Sequence, residues 1–305
     1  MTTPAISASS VPAVHFRKAA LIGVGLIGGS LAAAMKQHGL CDHIVGLGRT
    51  LETVLEAKKL GLIDHATTDY ADLKGCDLIV LCVPVAQTAA TLRALLPFVT
   101  PSTLITDTGS TKQDVVYAAR SVLGDESSTP IAQFIPAHPI AGKAQHGPAA
   151  AEAGLFQGRR VVLTPLPENT MDMVDRVAAL WAAVGAEVSH MSAIQHDAVF
   201  SSVSHLPHLL AYALVAQIAN SEDAATKLGY AGAGFRDFTR IAASSPEMWR
   251  DVFAANKTAV LKDLRAYQAM LAQMELNLVT GDTKTLEKIL SRAATVRSEW
   301  GKASE

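Results

Sequence analysis

A glycine motif near the start of the chain places the strongest constraint on the fold. Gly23 and Gly25 end the apolar run KAALIGVG, and Gly28 opens a helical stretch at 28–38. At such a junction the first glycine permits a tight turn, the second lets the backbone approach a pyrophosphate, and the third allows close packing of helix on strand. The order of strand, glycine turn and helix therefore predicts a dinucleotide-binding unit.

Short apolar runs alternate with helical stretches through the first half of the chain. After 18–25 these runs, rich in leucine or β-branched residues, are HIVGLG (43–48), DLIVLCVP (77–84), TLITDTG (103–109), AQFIPAHP (132–139) and RVVLTP (160–165). The helical stretches are 28–38, 51–60, 87–96 and 112–123, and a later one at 171–184 precedes AEVSHMS, a predicted edge strand. This alternation predicts an α/β fold with a Rossmann-type, doubly wound and mostly parallel sheet.

The second half of the chain has a different pattern. Between residues 192 and 300 there is no strand pattern, only stretches of helical periodicity, so an all-helical C-terminal domain is predicted. The predicted divisions are a disordered tail at 1–14, a dinucleotide-binding Rossmann domain at 15–190 and a helical substrate-binding and dimerisation domain at 191–305.

One long amphipathic helix is predicted at 256–279, where apolar residues recur every three or four positions. Its apolar stripe consists of Leu261, Leu264, Tyr267, Met270, Leu271, Met274 and Leu278. Such a stripe either packs into the core of its own chain or forms the seam of a homodimer.

Composition narrows the class of ligand. A formal net charge of −2 provides no basic surface for nucleic acid or for an anionic membrane, so a small molecule is expected. No run of consecutive apolar residues reaches the roughly 18 needed to span a bilayer. The three cysteines, Cys41, Cys76 and Cys82, match neither a disulfide framework nor a zinc site. These features predict a cytoplasmic protein with reduced thiols and no metal.

The end of the second predicted strand bears on the choice of cofactor. An acidic residue that binds the ribose 2′-hydroxyl of NAD is expected there, but Gly48 and Arg49 occupy the position. Because an arginine can bind a 2′-phosphate that a carboxylate would repel, NADP is favoured over NAD. A solvated loop arginine stacked on adenine is the alternative. The predicted cofactor contacts are Gly23, Gly25, Leu26, Ile27, Gly28, Arg49, Val83 and Pro84.

Four segments combine polar residues with apolar surroundings: TDTGSTK (106–112), HPIAG (138–142), SHLPH (204–208) and GFRDFTR (234–240). The first two follow predicted strands, where open α/β sheets bind ligands. The last two lie in the predicted helical domain, so a cleft between the domains would bring all four together.

In order along the chain, GVGLIGGS, DTGSTK, HPIAG, SHLPHLLAYAL and GFRDFTRIAASSPEMW resemble the prephenate/arogenate dehydrogenase family over residues 18–265. The last three segments are far more specific than the glycine motif, which many dehydrogenases share. The resemblance implies a monofunctional enzyme of tyrosine biosynthesis. Such an enzyme oxidatively decarboxylates prephenate to 4-hydroxyphenylpyruvate, or arogenate to tyrosine, with hydride transfer to NAD(P).

The resemblance also implies two catalytic residues. His138 would accept the proton of the substrate's 4-hydroxyl, a role that suits a side chain titrating near neutrality. Ser110 would hydrogen-bond the same hydroxyl and orient it. Considered alone, His138 also fits a histidine that simply ends a strand with its hydrogen bonds satisfied.

Arg240 is the implied partner of the ring carboxylate, because a planar guanidinium binds a carboxylate through two hydrogen bonds. Its rival is Arg236, which we instead expect in an ion pair alongside Asp237. A solvent-exposed helix arginine is the alternative interpretation of Arg240.

Three further residues are implied around the substrate. His208 would contact it, His205 would support His208 from the same helix face, and Trp249 would wall the pocket. A buried core tryptophan is the alternative for Trp249. Together with His196 the two histidines also suggest a metal site, but no carboxylate or cysteine completes a ligand set.

The loop after HPIAG bears on the substrate. Residues 140–147 contain Lys143 and no carboxylate, whereas many relatives carry an acidic residue close after this motif. The ammonium group of arogenate would then lack a local partner, which favours prephenate and leaves dual specificity open.

Two other functions compete with this interpretation. One is another two-domain NADP-dependent dehydrogenase, of the β-hydroxyacid or imine reductase type, and the other is a non-catalytic NADP-sensing regulator. Neither requires Ser110, His138, His208 and Arg240 together.

Overall fold

The computed structural model describes residues 14–143 and 145–303. The tail predicted at 1–14 therefore lies outside the described residues, apart from Val14. The chain forms two compact units, one ending at Asn256 and the other beginning at Lys257. This unit boundary falls inside the predicted helical domain, and the predicted division at residue 190 stays a prediction.

The first unit is built on a six-stranded sheet in the order β3-β2-β1-β4-β5-β6, with every neighbouring pair parallel. Its strands are β1 (Phe16–Ile22), β2 (Cys41–Leu47), β3 (His65–Thr67), β4 (Leu78–Leu81), β5 (Leu104–Asp107) and β6 (Phe134–Ile135). The helices among them are α1 (Leu26–Gln37), α2 (Leu51–Lys59), α3 (Thr88–Leu95) and α4 (Gln113–Leu123). The Rossmann-type prediction is confirmed, although the three-residue β3 is too short to give a periodic signal.

The carboxyl ends of four strands meet at one edge of this sheet. Ile22, Leu47 and Leu81 are aligned in register as the last residues of β1, β2 and β4. On the neighbouring strand, Asp107 at the end of β5 is the register partner of Leu81. The loops that follow these four residues therefore lie side by side, which is where open α/β sheets bind ligands.

The predicted strand 132–139 is wrong as a single element. It divides at Pro136 into β6 of the first sheet and β7 (Ala137–Pro139) of a second sheet. Proline lacks the N–H that a ladder needs, so neither sheet continues through this position. The second sheet has the order β7-β8-β9 and contains β8 (Arg160–Leu163) and β9 (Glu187–His190), with α5 (Met171–Ala183) between them in sequence. The predicted edge strand thus borders the second sheet rather than the first.

All the regular elements described after residue 192 are helical, as predicted. The first unit continues through α6 (Ala193–Phe200), a π-helical turn (Ser201–His205), α7 (Leu206–Ala219), α8 (Ala224–Gly229), α9 (Ala233–Thr239) and α10 (Pro246–Ala255). The second unit is a pair of packed helices, α11 (Lys257–Thr280) and α12 (Thr283–Ala303), joined through Gly281.

One prediction about hydropathy needs correction. Among the described residues, the continuous helix Ala193–Ala219 is long and apolar enough to cross a membrane by length and composition, with a mean hydropathy of 1.4. Counting consecutive apolar residues missed it because polar residues, Asp197 among them, interrupt the run. The same helix carries Asp197, whose buried carboxylate binds backbone N–H groups of the first unit. This part of the helix is therefore an integral piece of the protein core.

In the second unit, much of the predicted apolar stripe on α11 is exposed. The exposed members are Leu261, Tyr267, Met270, Leu271 and Leu278. The core interpretation is wrong for these five side chains. On α12, Leu290, Val296 and Trp300 are exposed as well.

The glycine motif connects β1 to α1. Gly23 has a φ of +96°, which favours glycine, and a Cβ there would lie 2.4 Å from the carbonyl oxygen of Cys82. A Cβ on Gly28 would lie 2.1 Å from the carbonyl oxygen of Gly23. A Cβ on Gly25, by contrast, would meet no atom within 4 Å. The protein's own packing thus requires two of the glycines, while Gly25 borders open space at the N-terminus of α1.

The variants Gly25→Ala and Gly28→Ala should therefore separate ligand binding from folding. Gly25 has an extended backbone that alanine adopts, so Gly25→Ala should change the free energy of unfolding by less than about 0.5 kcal/mol. Its methyl group would occupy the space a pyrophosphate needs, and dinucleotide affinity should fall at least roughly tenfold. Gly28→Ala should lower the free energy of unfolding by about 1–3 kcal/mol through overpacking.

Urea unfolding and fluorescence titration with NADP and NAD measure the two effects. Wild-type dinucleotide affinity in a folded Gly25→Ala protein would contradict the assignment.

Candidate active site

A buried ion pair lies beneath the turn that follows β5. Lys112 Nζ contacts the carboxylate of Asp107, and both side chains are almost completely buried. Asp107 also accepts hydrogen bonds from the N–H of Gly109 at 2.8 Å and of Ala137 at 3.0 Å. Lys112 donates to the carbonyl oxygen of Ala137 at 2.8 Å. The pair therefore joins the end of the first sheet to β7, which carries His138.

The carboxylate of Asp197, on α6, binds the C-terminal end of the same turn, where α4 begins. Its Oδ1 accepts from the N–H of Lys112 at 2.8 Å and its Oδ2 from the N–H of Gln113 at 2.9 Å. These N–H groups open α4, where the helix dipole favours a negative charge. The side chain of His196 lies alongside, with its Nδ1 2.8 Å from Asp197 Oδ1.

His138 reaches this arrangement from β7. Its Nδ1 lies 2.8 Å from Nε2 of His196, and its ring contacts Phe200 with a centroid separation of 5.0 Å. Within the described part of the chain, Nε2 of His138 has no hydrogen-bond partner. One ring nitrogen is thus held by the protein and the other is free to bind a ligand.

His205 is buried at the end of the π-helical turn. Asn256 donates through Nδ2 to His205 Nδ1 at 3.1 Å and to the carbonyl oxygen of Asp197 at 2.7 Å. The backbone of Ser110 also interacts with the His205 ring. His205 and Asn256 therefore connect the Ser110 turn to the helices that follow it.

His208, Trp249 and Arg240 form a neighbouring group. The rings of His208 and Trp249 stack with centroids 3.6 Å apart, and His208 Nδ1 donates to the carbonyl oxygen of Ser204 at 2.8 Å. Burial lowers the pKa of His208, and the positive charge of Arg240 lowers it further against the effect of the Ser204 carbonyl. Arg240 itself is exposed at the end of α9.

Burial keeps this histidine cluster (His138, His196, His205 and His208) neutral. Burial, together with His196, Lys112 and His205, holds the pKa of His138 well below its usual value. Burial also lowers the pKa of His205 to about 4 and lowers the pKa of His196 despite its bond to Asp197. Burial alone would raise the pKa of Asp197, but its hydrogen bonds leave that pKa lowered. At neutral pH the site therefore combines neutral imidazoles with the buried carboxylate of Asp197.

The predicted cofactor contacts lie at the aligned sheet edge. Arg49 follows β2 and is exposed, and within the described ranges it makes no ion pair. Val83 and Pro84 follow β4, while Leu26 and Ile27 form the first turn of α1. That first turn has no side-chain cap and no acidic residue, so its N–H groups are available to an anion. The residues present therefore fit a dinucleotide.

The structure brings together most of the predicted chemical residues and adds others. His138, Ser110, His205, His208, Trp249 and Arg240 are all connected through neighbouring contacts in the first unit. The sequence analysis included Asp107 in the segment 106–112 without giving it a role, and it did not single out Asp197 or Asn256. The available signal was a pair of polar residues, His196 and Asp197, on the buried side of an otherwise apolar helix.

Two expectations are corrected. Arg236 and Asp237 are both exposed and, within the described ranges, form no ion pair. The loop after HPIAG does have a nearby carboxylate, because Lys143 forms an ion pair with Glu152. The N–H of Glu152 donates to Oγ of Ser30 on α1 at 3.0 Å, which holds this acidic residue next to the loop.

Two family models match the chain. The model for the nucleotide-binding domain of prephenate dehydrogenase matches residues 31–190, and the model for its dimerization domain matches residues 192–292.

Individual relatives are similar over most of the chain. A cyclohexadienyl dehydrogenase of Zymomonas mobilis is 35% identical over 88% of this chain and 90% of its own length. A prephenate dehydrogenase of Bacillus subtilis is 38% identical over 79% of this chain, which spans 64% of that relative. The crystal structure of prephenate dehydrogenase from A. aeolicus with hydroxyphenyl propionate and NAD+ has a TM-score of 0.86 and 34% identity, covering 93% of this chain and 98% of its own. On this evidence, the chain belongs to the prephenate dehydrogenase family of oxidoreductases.

Proposed function

We propose that this protein oxidatively decarboxylates prephenate to 4-hydroxyphenylpyruvate, with NADP as the preferred hydride acceptor, in tyrosine biosynthesis. The observation that carries the proposal is the environment of His138. One ring nitrogen is bonded to His196 at 2.8 Å, the other is free, and the ring is neutral beside the Ser110 turn. A neutral histidine with one free nitrogen is what a general base requires.

In the proposed reaction, Nε2 of His138 accepts the proton of the substrate's 4-hydroxyl while hydride leaves the adjoining carbon. The nicotinamide supplies the hydride-accepting chemistry when it is bound. The hydroxyl of Ser110 hydrogen-bonds the same substrate oxygen and keeps its proton directed at His138. The bond to the ring carboxylate then breaks and its electron pair completes the aromatic ring as carbon dioxide leaves. The former carbonyl oxygen becomes a phenolate and takes the proton back from His138.

Substrate binding is assigned to the group around His208. Arg240 binds the ring carboxylate as a bidentate donor. The free Nε2 of His208 contacts the substrate, and Trp249 and His205 hold that ring in place. Support comes from the stacking of His208 on Trp249 and from the proximity of Arg240 to His208.

The preference for prephenate over arogenate is based on charge. The ammonium group of arogenate needs an anionic partner, and the carboxylate next to the loop, Glu152, is already paired with Lys143. Dual use of both substrates is the second candidate, since one relative is a cyclohexadienyl dehydrogenase. Following absorbance at 340 nm with NADP and each substrate in turn tests both. Turnover of neither substrate would contradict the proposal.

We also propose that the protein is a cytoplasmic homodimer. The exposed apolar side chains of α11 and α12 are unfavourable in water, and a second copy would cover them. The free thiols of Cys41, Cys76 and Cys82 suit a reducing compartment.

Separate substitutions of His138 and Arg240 should distinguish the chemical step from substrate binding. His138→Asn should lower kcat by roughly 10²–10⁴-fold with little change in KM, because a general base acts in the transition state. Arg240→Gln should mainly raise KM, by roughly ten- to hundredfold, since a charge-assisted bond is worth about 1.5–3 kcal/mol.

The pH profile gives an independent check. A protonated His138 cannot accept a proton, so wild-type kcat/KM should fall as the pH drops below the ordinary histidine value of about 6.5. This acidic limb of the pH profile lies below that value because burial lowers the pKa of His138. His138→Asn should abolish the limb, and its survival would transfer the role of base to His208. Unchanged melting profiles and NADP affinity are the controls.

The cofactor preference depends on Arg49. The wild-type enzyme should have a higher kcat/KM with NADP than with NAD, and Arg49→Ala should reduce that ratio by removing a bidentate phosphate contact. The exposed Arg93→Ala on α3 serves as a control. Equal efficiency with both dinucleotides in the wild type would contradict the assignment.

The oligomeric state can be read from light scattering at micromolar concentration. A mass of about twice that of the chain is expected, and Leu271→Glu on the exposed stripe should shift it toward the monomer. A monomeric wild type would contradict the dimer.

A further inference from the structure

His196 and Asp197 are buried and polar, and neither has a role in the site predicted from the sequence. Each is no more than 1% exposed. Burying such a pair is unfavourable unless all its hydrogen bonds are made. The pair is directed at a single functional atom, because His196 Nε2 lies 2.8 Å from Nδ1 of His138.

We propose that His196 and Asp197 are positioning residues that keep the free lone pair of His138 on Nε2, where the substrate binds. The inference rests on the proposed role of His138 as the base and adds the two residues that determine the tautomer of His138.

The carboxylate of Asp197 determines the tautomer of His196, which in turn determines the tautomer of His138. Asp197 Oδ1 is an acceptor, so His196 must carry its proton on Nδ1, 2.8 Å away. A neutral His196 then has a bare Nε2, which can only accept. His138 must therefore donate its Nδ1–H to His196, and its own Nε2 is left without a proton. The backbone N–H groups of Lys112 and Gln113 hold Asp197 in place at the start of this sequence.

The same arrangement stabilises the protonated base. When Nε2 of His138 takes the hydroxyl proton, the ring becomes a cation whose Nδ1–H already points at His196, with the carboxylate of Asp197 beyond it. Facing His138 are Lys112 from the turn, His196 from α6 and His205 from the π-helical turn. Asp107 neutralises the charge of Lys112, so Asp197 is the anion that remains to balance a protonated His138.

The test compares substitutions at His196. His196→Phe keeps an aromatic ring against Phe200 but offers no acceptor to His138. In His196→Gln, the amide has an oxygen to accept the Nδ1–H of His138 and an NH2 group to donate to Asp197, so the tautomer should be preserved. His196→Asn is too short to reach His138 and replaces the phenylalanine variant if that protein fails to fold. The exposed His190→Phe on β9 is the matched control.

The first readout is nuclear magnetic resonance of the free protein labelled with 15N-histidine. The signal of His138, identified by its loss in His138→Asn, should show a proton on Nδ1 and none on Nε2 in the wild type, in His190→Phe and in His196→Gln. In His196→Phe the proton should move wholly or partly to Nε2.

The second readout is kinetic. His196→Phe should lower kcat at least tenfold, and by no more than the roughly 10²–10⁴-fold that general-base catalysis supplies. KM and NADP affinity should be unchanged, because the substitution leaves the predicted substrate and cofactor residues in place. A purely structural defect would lower kcat without moving the proton of His138 to Nε2.

The inference is overturned if wild-type His138 carries its proton on Nε2, or if His196→Phe keeps the wild-type tautomer and kcat. A wild-type enzyme that oxidises neither prephenate nor arogenate would instead overturn the proposed function. The tautomer, measured without substrate, does not depend on that outcome.

Discussion

Two buried carboxylates organise the site. Asp107 ends β5 and bonds to the turn, to Lys112 and to the start of β7, so it joins the two sheets. Asp197 binds the first N–H groups of α4 from a different part of the chain. Removing one partner from a buried charge typically costs about 3–5 kcal/mol, because the other charge is left uncompensated. The position of His138 depends on both carboxylates.

These carboxylates also explain how a neutral histidine can be kept beside a lysine. Lys112 is completely buried, and an unpaired ammonium there would oppose any proton arriving at His138. Because Asp107 balances Lys112, the second carboxylate is available to the imidazoles. The burial that lowers the pKa of His138 then leaves the ring neutral near pH 7.

The aligned sheet edge brings the cofactor region and the chemical site together. Ile22, Leu47, Leu81 and Asp107 end neighbouring parallel strands at the same level. The glycine turn, Arg49, Val83 and the Ser110 turn follow them directly. A dinucleotide bound along this edge would thus run from the glycine turn toward the turn that carries Ser110, next to His138.

Local pattern in the sequence was enough for the architecture, and the resemblance to a known family supplied the candidate site residues. Alternating strands and helices, the glycine turn and the motifs around His138, His208 and Arg240 are short-range signals that can be recognised along the sequence. Such signals predicted which loops carry chemistry, because loops after parallel strands share one edge.

Only the tertiary structure determined the partners of those residues. His138 meets His196 across 58 residues, Lys112 meets Asp197 across 85, and Asn256 meets His205 across 51. Periodicity describes which face of an element is buried and does not specify which distant polar group completes a hydrogen bond. The sequence therefore determined the strands, the helices and the candidate base. Contacts between residues far apart in the sequence decided the tautomer of His138, and burial decided its charge.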